Sequence, residues 1–110
     1  MVEYAPDLDT TFAAVSDPTR RAILAALKQG EAPVGELAAP FDMSFQAVSK
    51  HIGVLAHAGL VERERQGRIQ LCRLVAAPLR DANEWTDDYR RFWEKQLASL
   101  DAYLRQGGGR

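Results

Sequence analysis

Apolar residues along the chain recur first at helical and then at alternating spacing. Leu8, Phe12 and Val15 fall at i, i+4 and i+7 and predict a short first helix. Asp17-Pro18 then reads as an N-cap with proline at the first helical position, where its missing N–H is no loss. Ile23, Leu24 and Leu27 supply the buried stripe of that second helix, and Gly30 ends it. The segment from Pro33 to Pro40 has room for about two turns. Ser44 caps a fourth helix in which Val48, Ile52 and Leu55 face the core, with Phe45 on the same side and Gly59 as the stop. Leu60–Gln66 and Arg68–Leu74 alternate in character around Gly67, which predicts a β-hairpin. Pro78 opens a last helix expected to run unbroken to about Gln106, a rod of about 40 Å, because it contains no internal Gly or Pro.

The expected fold is therefore mainly α with a two-stranded β-hairpin, in the order α-α-α-α-β-β-α. Two helices joined by a tight turn and followed by a hairpin make a winged helix-turn-helix, whose second helix enters the DNA major groove while the hairpin follows the backbone. At 110 residues the chain makes one domain, expected to span residues 1–106 with a flexible tail at 107–110. The start MVEYAPDLD lacks the basic and apolar regions of an export signal, and no apolar run is long enough for a membrane span. The lone Cys72 excludes an intrachain disulfide and a paired-thiol metal site. A cytoplasmic setting is expected, and Cys72 reads as a small buried hydrophobe rather than a sensor.

A net charge of −1 looks adverse to nucleic-acid binding until it is divided along the chain. Residues 1–43 carry three basic and seven acidic side chains, residues 44–80 six and two, and residues 81–110 five and six. The middle third is thus +4 between acidic flanks. A clustered basic stretch is the footprint of phosphate contact whatever the total.

At 100° per residue, the fourth helix turns Gln46, Lys50, Gly53 and His57 away from the core, with Ala47, Ser49 and Val54 on the flanks. This outer face has no acid. Gln46 suits an adenine edge, Lys50 a guanine or a phosphate, and Ser49 either. Small residues such as Ala47 and Gly53 allow the helix axis to approach the groove floor. Ser44 and His51 join the candidate DNA contacts, His51 as a boundary residue able to bond a phosphate. Arg65 and Arg68 bracket the hairpin tip and are the preferred wing contacts over Arg63 and Arg73, since part of the run Glu62–Arg65 can pair with itself along the strands. No nucleophile–base pair, carboxylate pair or phosphate-binding glycine loop is present, so no enzyme, catalytic residue or cofactor is expected.

These segments carry a family resemblance. Asp17-Pro18-Thr19-Arg20-Arg21-Ala22-Ile23-Leu24 resembles the second-helix signature of the ArsR/SmtB family of bacterial repressors. Val34–Ala38 resembles its third helix, Ser44–Ile52 its recognition helix, and Leu55–Val61 with Arg65-Gln66-Gly67-Arg68 its helix end and wing. The resemblance implies a homodimeric transcription factor that usually represses and leaves DNA when an inducer binds. Metal-sensing members commonly carry a Cys-x-Cys in the third helix, or Asp and His ligands along the last one. Here Glu36–Pro40 holds no thiol and the last helix no histidine, so the chain is similar to the metal-independent branch, with no metal ligands assigned.

A dimer is expected on physical grounds too. Trp85, Tyr89, Phe92, Trp93, Leu97, Leu100 and Leu104 form an apolar stripe too long for so small a domain to cover. With Phe12 and Val15 of the first helix, the residues from Trp85 to Leu100 are the candidate dimerisation set. The expected partners are operator DNA, a second copy of the chain and an unidentified small-molecule or protein inducer, with no membrane. Two alternatives remain open: an atypical metal- or thiol-responsive repressor of the same family, and a winged-helix module for protein contact without DNA binding.

Overall fold

A computed structural model of the chain describes residues 7–107. Most of the start read for an export signal and the tail residues 108–110 lie outside them. Six helices and three short strands follow in the order α1 (Leu8–Ala14), α2 (Pro18–Leu27), β1 (Ala32–Pro33), α3 (Val34–Ala38), α4 (Phe45–His57), β2 (Val61–Gln66), β3 (Ile69–Leu74), α5 (Ala77–Asp87) and α6 (Arg90–Gly107). Gly107 closes α6, one residue past the expected domain boundary.

The caps form as their chemistry requires. Asp7, Asp17 and Ser44 accept from the backbone N–H of Thr10, Arg20 and Ala47, at 3.0 Å in each case. Helix α4 ends in a Schellman motif: the Leu60 N–H donates to the Leu55 carbonyl and the Gly59 N–H to that of Ala56. Gly59 takes the left-handed φ of 78° that this motif needs, and Leu55 and Leu60 close it as a fully buried apolar pair.

One core joins α2, α3, α4 and the sheet through Ile23, Leu27, Val34, Leu37, Val48, Ile52, Leu55, Leu60, Val61 and Cys72. Phe45, expected on this side, is instead 54% exposed. It occupies the first turn of α4, where it lines an open cleft beside α3 and the strands instead of entering the closed core. Of α1, the buried residues are Thr11 and Ala14; Phe12 is 40% exposed and Val15 half-buried.

The sheet has three strands in the order β1-β3-β2, all antiparallel, so the expected hairpin gains a partner. Strand β1 pairs Ala32 with Cys72 and Pro33 with Leu71. Two residues are too few to show an alternating pattern, and proline at a sheet edge withholds no needed donor.

The expected unbroken last helix is two helices. The Asp88 and Tyr89 amides bond back three residues, to the carbonyls of Trp85 and Thr86, and regular i+4 bonding resumes only at Trp93. The sequence Thr86-Asp87-Asp88 is the physical reason. Such side chains compete with the helix for backbone and neighbouring groups. Thr86 Oγ1 donates to the Asn83 carbonyl at 2.9 Å, and Asp87 Oδ1 accepts from Arg90 Nε at 2.9 Å. A search for Gly and Pro alone misses this break. Helix α5 packs on α1, whereas α6 has no buried residue and extends away from the body.

Candidate nucleic-acid interface

Helix α4 turns Gln46 and Lys50 fully outward, with Ala47, Ser49 and Gly53 partly covered on its flanks and Ser44 exposed at its start. A Cβ placed on Gly53 would meet nothing within 4 Å, so no internal packing demands glycine there. The wing tip is a two-residue loop, Gly67-Arg68, between the paired Gln66 and Ile69. Gly67 has φ of 64° and Arg68 an ordinary negative φ, the II′ pattern that suits strand twist. Arg68 therefore stands on the turn itself.

Strand alternation sorts the wing's charges. Arg63 and Arg65, opposite Cys72 and Gln70, share the face that lower down carries the buried Val61 and Cys72. Glu62, Glu64 and Arg73 lie on the other face. There Arg73 Nη2 reaches Glu62 at 3.3 Å, and its Nη1 reaches Glu64 at 3.3 Å and Glu31 at 3.4 Å. Those three carboxylates, Glu64 foremost, raise the guanidinium's pKa further. The wing's self-pairing thus occupies Arg73. Among the described residues nothing pairs with Lys50, Arg65 or Arg68.

Ser49, Arg65 and Arg68 meet at one open cleft of about 530 Å³ between α3, the start of α4 and the wing. Phe45 and Ile69, each more than half exposed, line it as well. Sequence reasoning missed both as candidate contacts. Their signal was an apolar residue at N1 of a capped helix and another directly after a hairpin turn. Glu36 also lines this cleft and is its one acidic group.

His51 takes a more internal role than a free phosphate ligand. Its Nδ1 lies 3.2 Å from Arg20 Nη1 and 3.9 Å from Asp17 Oδ2, between the two residues that open α2. Arg20 also donates from Nε to the Ala14 carbonyl at 2.6 Å and from Nη2 to that of Ala13 at 3.1 Å, while Arg21 Nη1 donates to Val15 at 2.8 Å. The Asp17-Pro18-Thr19-Arg20-Arg21 segment thus caps α2 at its start, satisfies the orphan carbonyls ending α1, and anchors the recognition helix through His51. The Arg20 amide holds the Asp17 carboxyl below the usual carboxylate range.

Cys72 is fully buried, and that burial pushes its thiol pKa up. Among the described residues no three His, Cys, Asp or Glu side chains are grouped to hold a metal ion, and no helix is long and apolar enough to cross a membrane.

The candidate dimerisation residues fall in two groups. Phe12 meets Trp85 edge-on at 5.8 Å between centroids, and Trp85 meets Tyr89 at 5.2 Å, yet all three stay at least 40% exposed. Phe92, Trp93, Leu97 and Leu100 continue the exposed face along α6, joined by Tyr103 and Leu104. Val15 instead packs partly against its own core.

Comparison with known proteins matches this geometry. A family model described as a helix-turn-helix domain fits residues 15–64. The chain is 35% identical over 78 residues to the transcriptional repressor SdpR of Bacillus subtilis, covering 71% of this chain and 87% of the relative. It is 37% identical over 100 residues to the HTH-type transcriptional regulator Rv2034 of Mycobacterium tuberculosis, covering 91% of each. A crystal structure of an ArsR family transcriptional regulator superposes with a TM-score of 0.76 at 38% identity, covering 86% of this chain and 97% of that one. The matched helix-turn-helix segment includes α4, and these relatives are named as transcriptional regulators. The chain belongs to the ArsR family of winged helix-turn-helix transcriptional regulators, and is a DNA-binding protein, not an enzyme.

Proposed function

We propose that the chain acts in the cytoplasm as a homodimeric repressor of an inverted-repeat operator. In this reading Gln46, Ser49 and Lys50 read base edges, Ala47 and Gly53 keep the groove floor clear, and Phe45 packs on a thymine methyl. Ser44, His51, Arg65 and Arg68 hold phosphates and fix the register. The observation that carries the proposal is the acid-free outer face of α4 beside the wing arginines Arg65 and Arg68, which form no ion pair among the described residues.

The bare aromatic and leucine face of α5 and α6 supports the dimer. Two recognition helices related by a two-fold would span half-sites about 34 Å apart, and a bound dimer would block polymerase. The metal-independent reading is supported by the donor set: α3 has no thiol and neither α5 nor α6 has a histidine, while isolated carboxylates compete poorly for zinc-type ions. The full burial of Cys72 supports this reading over the thiol-responsive alternative. The alternative of a protein-contact module gives no reason for Arg65 and Arg68 to stay unneutralised.

The test is a mobility shift with the DNA upstream of the chain's own coding sequence, at several salt concentrations. Wild-type protein should bind in competition with random-sequence DNA. Indifference to sequence would overturn the operator, and a monomer in the shifted complex would overturn the dimer.

A further inference from the structure

A largely apolar cleft lies along α2 at the edge of the core, reaching the core residue Leu24, and shares no residue with the DNA contacts proposed above. Arg21, Leu24, Ala25 and Lys28 follow one another at i, i+3, i+4 and i+7, so they form a single stripe along α2. A cation stands at each end of this stripe and apolar side chains lie between, over about 10 Å of helix. Val15 at the end of α1, Leu74 at the end of β3 and Leu79 in α5 complete a cleft of about 310 Å³. That is the lower end of the range for small-molecule sites, and the lining is mostly apolar with few polar groups. No acidic residue lines it. Lys28 has no ion pair among the described residues, and Arg21 spends one donor, Nη1, on the Val15 carbonyl, leaving the rest of its fork uncommitted.

We propose that this cleft binds a small amphipathic carboxylate, with an apolar body over Leu24, Ala25, Leu74 and Leu79 and its charge held by Arg21 or Lys28. A neutral apolar ligand would leave both cations unused, and a cationic one would be repelled from both ends. The cleft also has a regulatory position. It joins α2, which packs on α4, and β3 of the wing to α1 and α5, the arm proposed to dimerise. A ligand there touches both halves and favours one angle between them, provided its affinity differs between the two arrangements. That consequence rests on the proposed function; the binding site itself does not.

The full chain is titrated without DNA, with methyl and amide NMR signals as readout and sodium octanoate, octanol and octylammonium as probes. Octanoate should give saturable shifts centred on Leu24, Ala25, Leu74 and Leu79, with affinity at least tenfold above the other two. Ala25→Phe, which fills the cleft from an exposed position, should abolish these shifts while the helical circular dichroism is unchanged. Lys28→Glu should weaken binding at least fivefold, and Lys28→Arg should retain it. Equal affinity for the three probes, shifts centred on α6 instead, or no saturation would overturn the site. Octanoate should then change operator affinity in wild-type protein and leave Ala25→Phe unaffected; binding without that change overturns the regulatory role alone. A chain that takes octanoate but ignores DNA contradicts the proposed function and leaves the cleft standing.

Discussion

Gly53, Cys72 and Asp17 show how single residues divide between fold and function. Open space around Gly53 implies opposite effects on stability and binding. Gly53→Ala is expected to stabilise the helix by about 0.5–1 kcal/mol in denaturant unfolding. Gly53→Trp should fold but lose operator binding, because the ring would occupy the groove floor. Cys72 makes the converse case. Its thiol should react with iodoacetamide only as fast as the protein opens, and Cys72→Ser should cost about 1–3 kcal/mol by burying an unpaired hydroxyl. The raised thiol pKa means its contribution is fully present below the ordinary thiol range and is lost as pH rises through the folded value. Asp17 has the opposite sign. Its carboxyl is held low chiefly by the Arg20 amide, so its contribution is present above about pH 4 and is lost as pH falls through the depressed value. Asp17→Asn keeps an N-cap acceptor and should flatten that acid limb in urea midpoints measured against pH.

At the scale of elements, the sequence made legible whatever rests on local chemistry. Asp17-Pro18, Ser44 and Gly59 mark helix ends through the hydrogen bonds that they form, and Gly67 marks the hairpin turn. What stayed hidden depends on partners far along the chain or on weaker local competition. Strand β1 exists because Ala32 and Pro33 meet β3 some 40 residues on. Phe45 has helical spacing with the core, but the first turn where it sits opens on the cleft between α3 and the wing. The break between α5 and α6 comes from three residues of modest helix propensity, none forbidden in a helix. Replacing Thr86, Asp87 and Asp88 together with alanine should join the two helices. The readout is slower amide exchange at residues 88 and 89; unchanged exchange there would mean that tertiary packing, and not these side chains, sets the break.

Over the whole molecule, shape and charge both point outward. A compact chain of this length has a radius of gyration of about 13 Å, against 19.3 Å here, with extents of 67 × 45 × 21 Å. Helix α6 extends from the body, and its aromatic and leucine face is not covered by the described residues. Leu97→Glu with Leu100→Glu should therefore shift the protein to half its mass in light scattering while α2–α4 stay folded. A net charge of −1 conceals a basic middle third set between acidic flanks, the segment that carries the proposed DNA contacts. In the proposed reading α4 and the wing together grip DNA. That claim is tested most directly by operator affinity as a function of salt for wild-type protein, Lys50→Ala and Arg68→Ala. Each substitution should weaken binding, and loss of a phosphate contact should lower the log–log salt slope by about 0.9 per site. Affinity and slope unchanged in both variants would contradict the account.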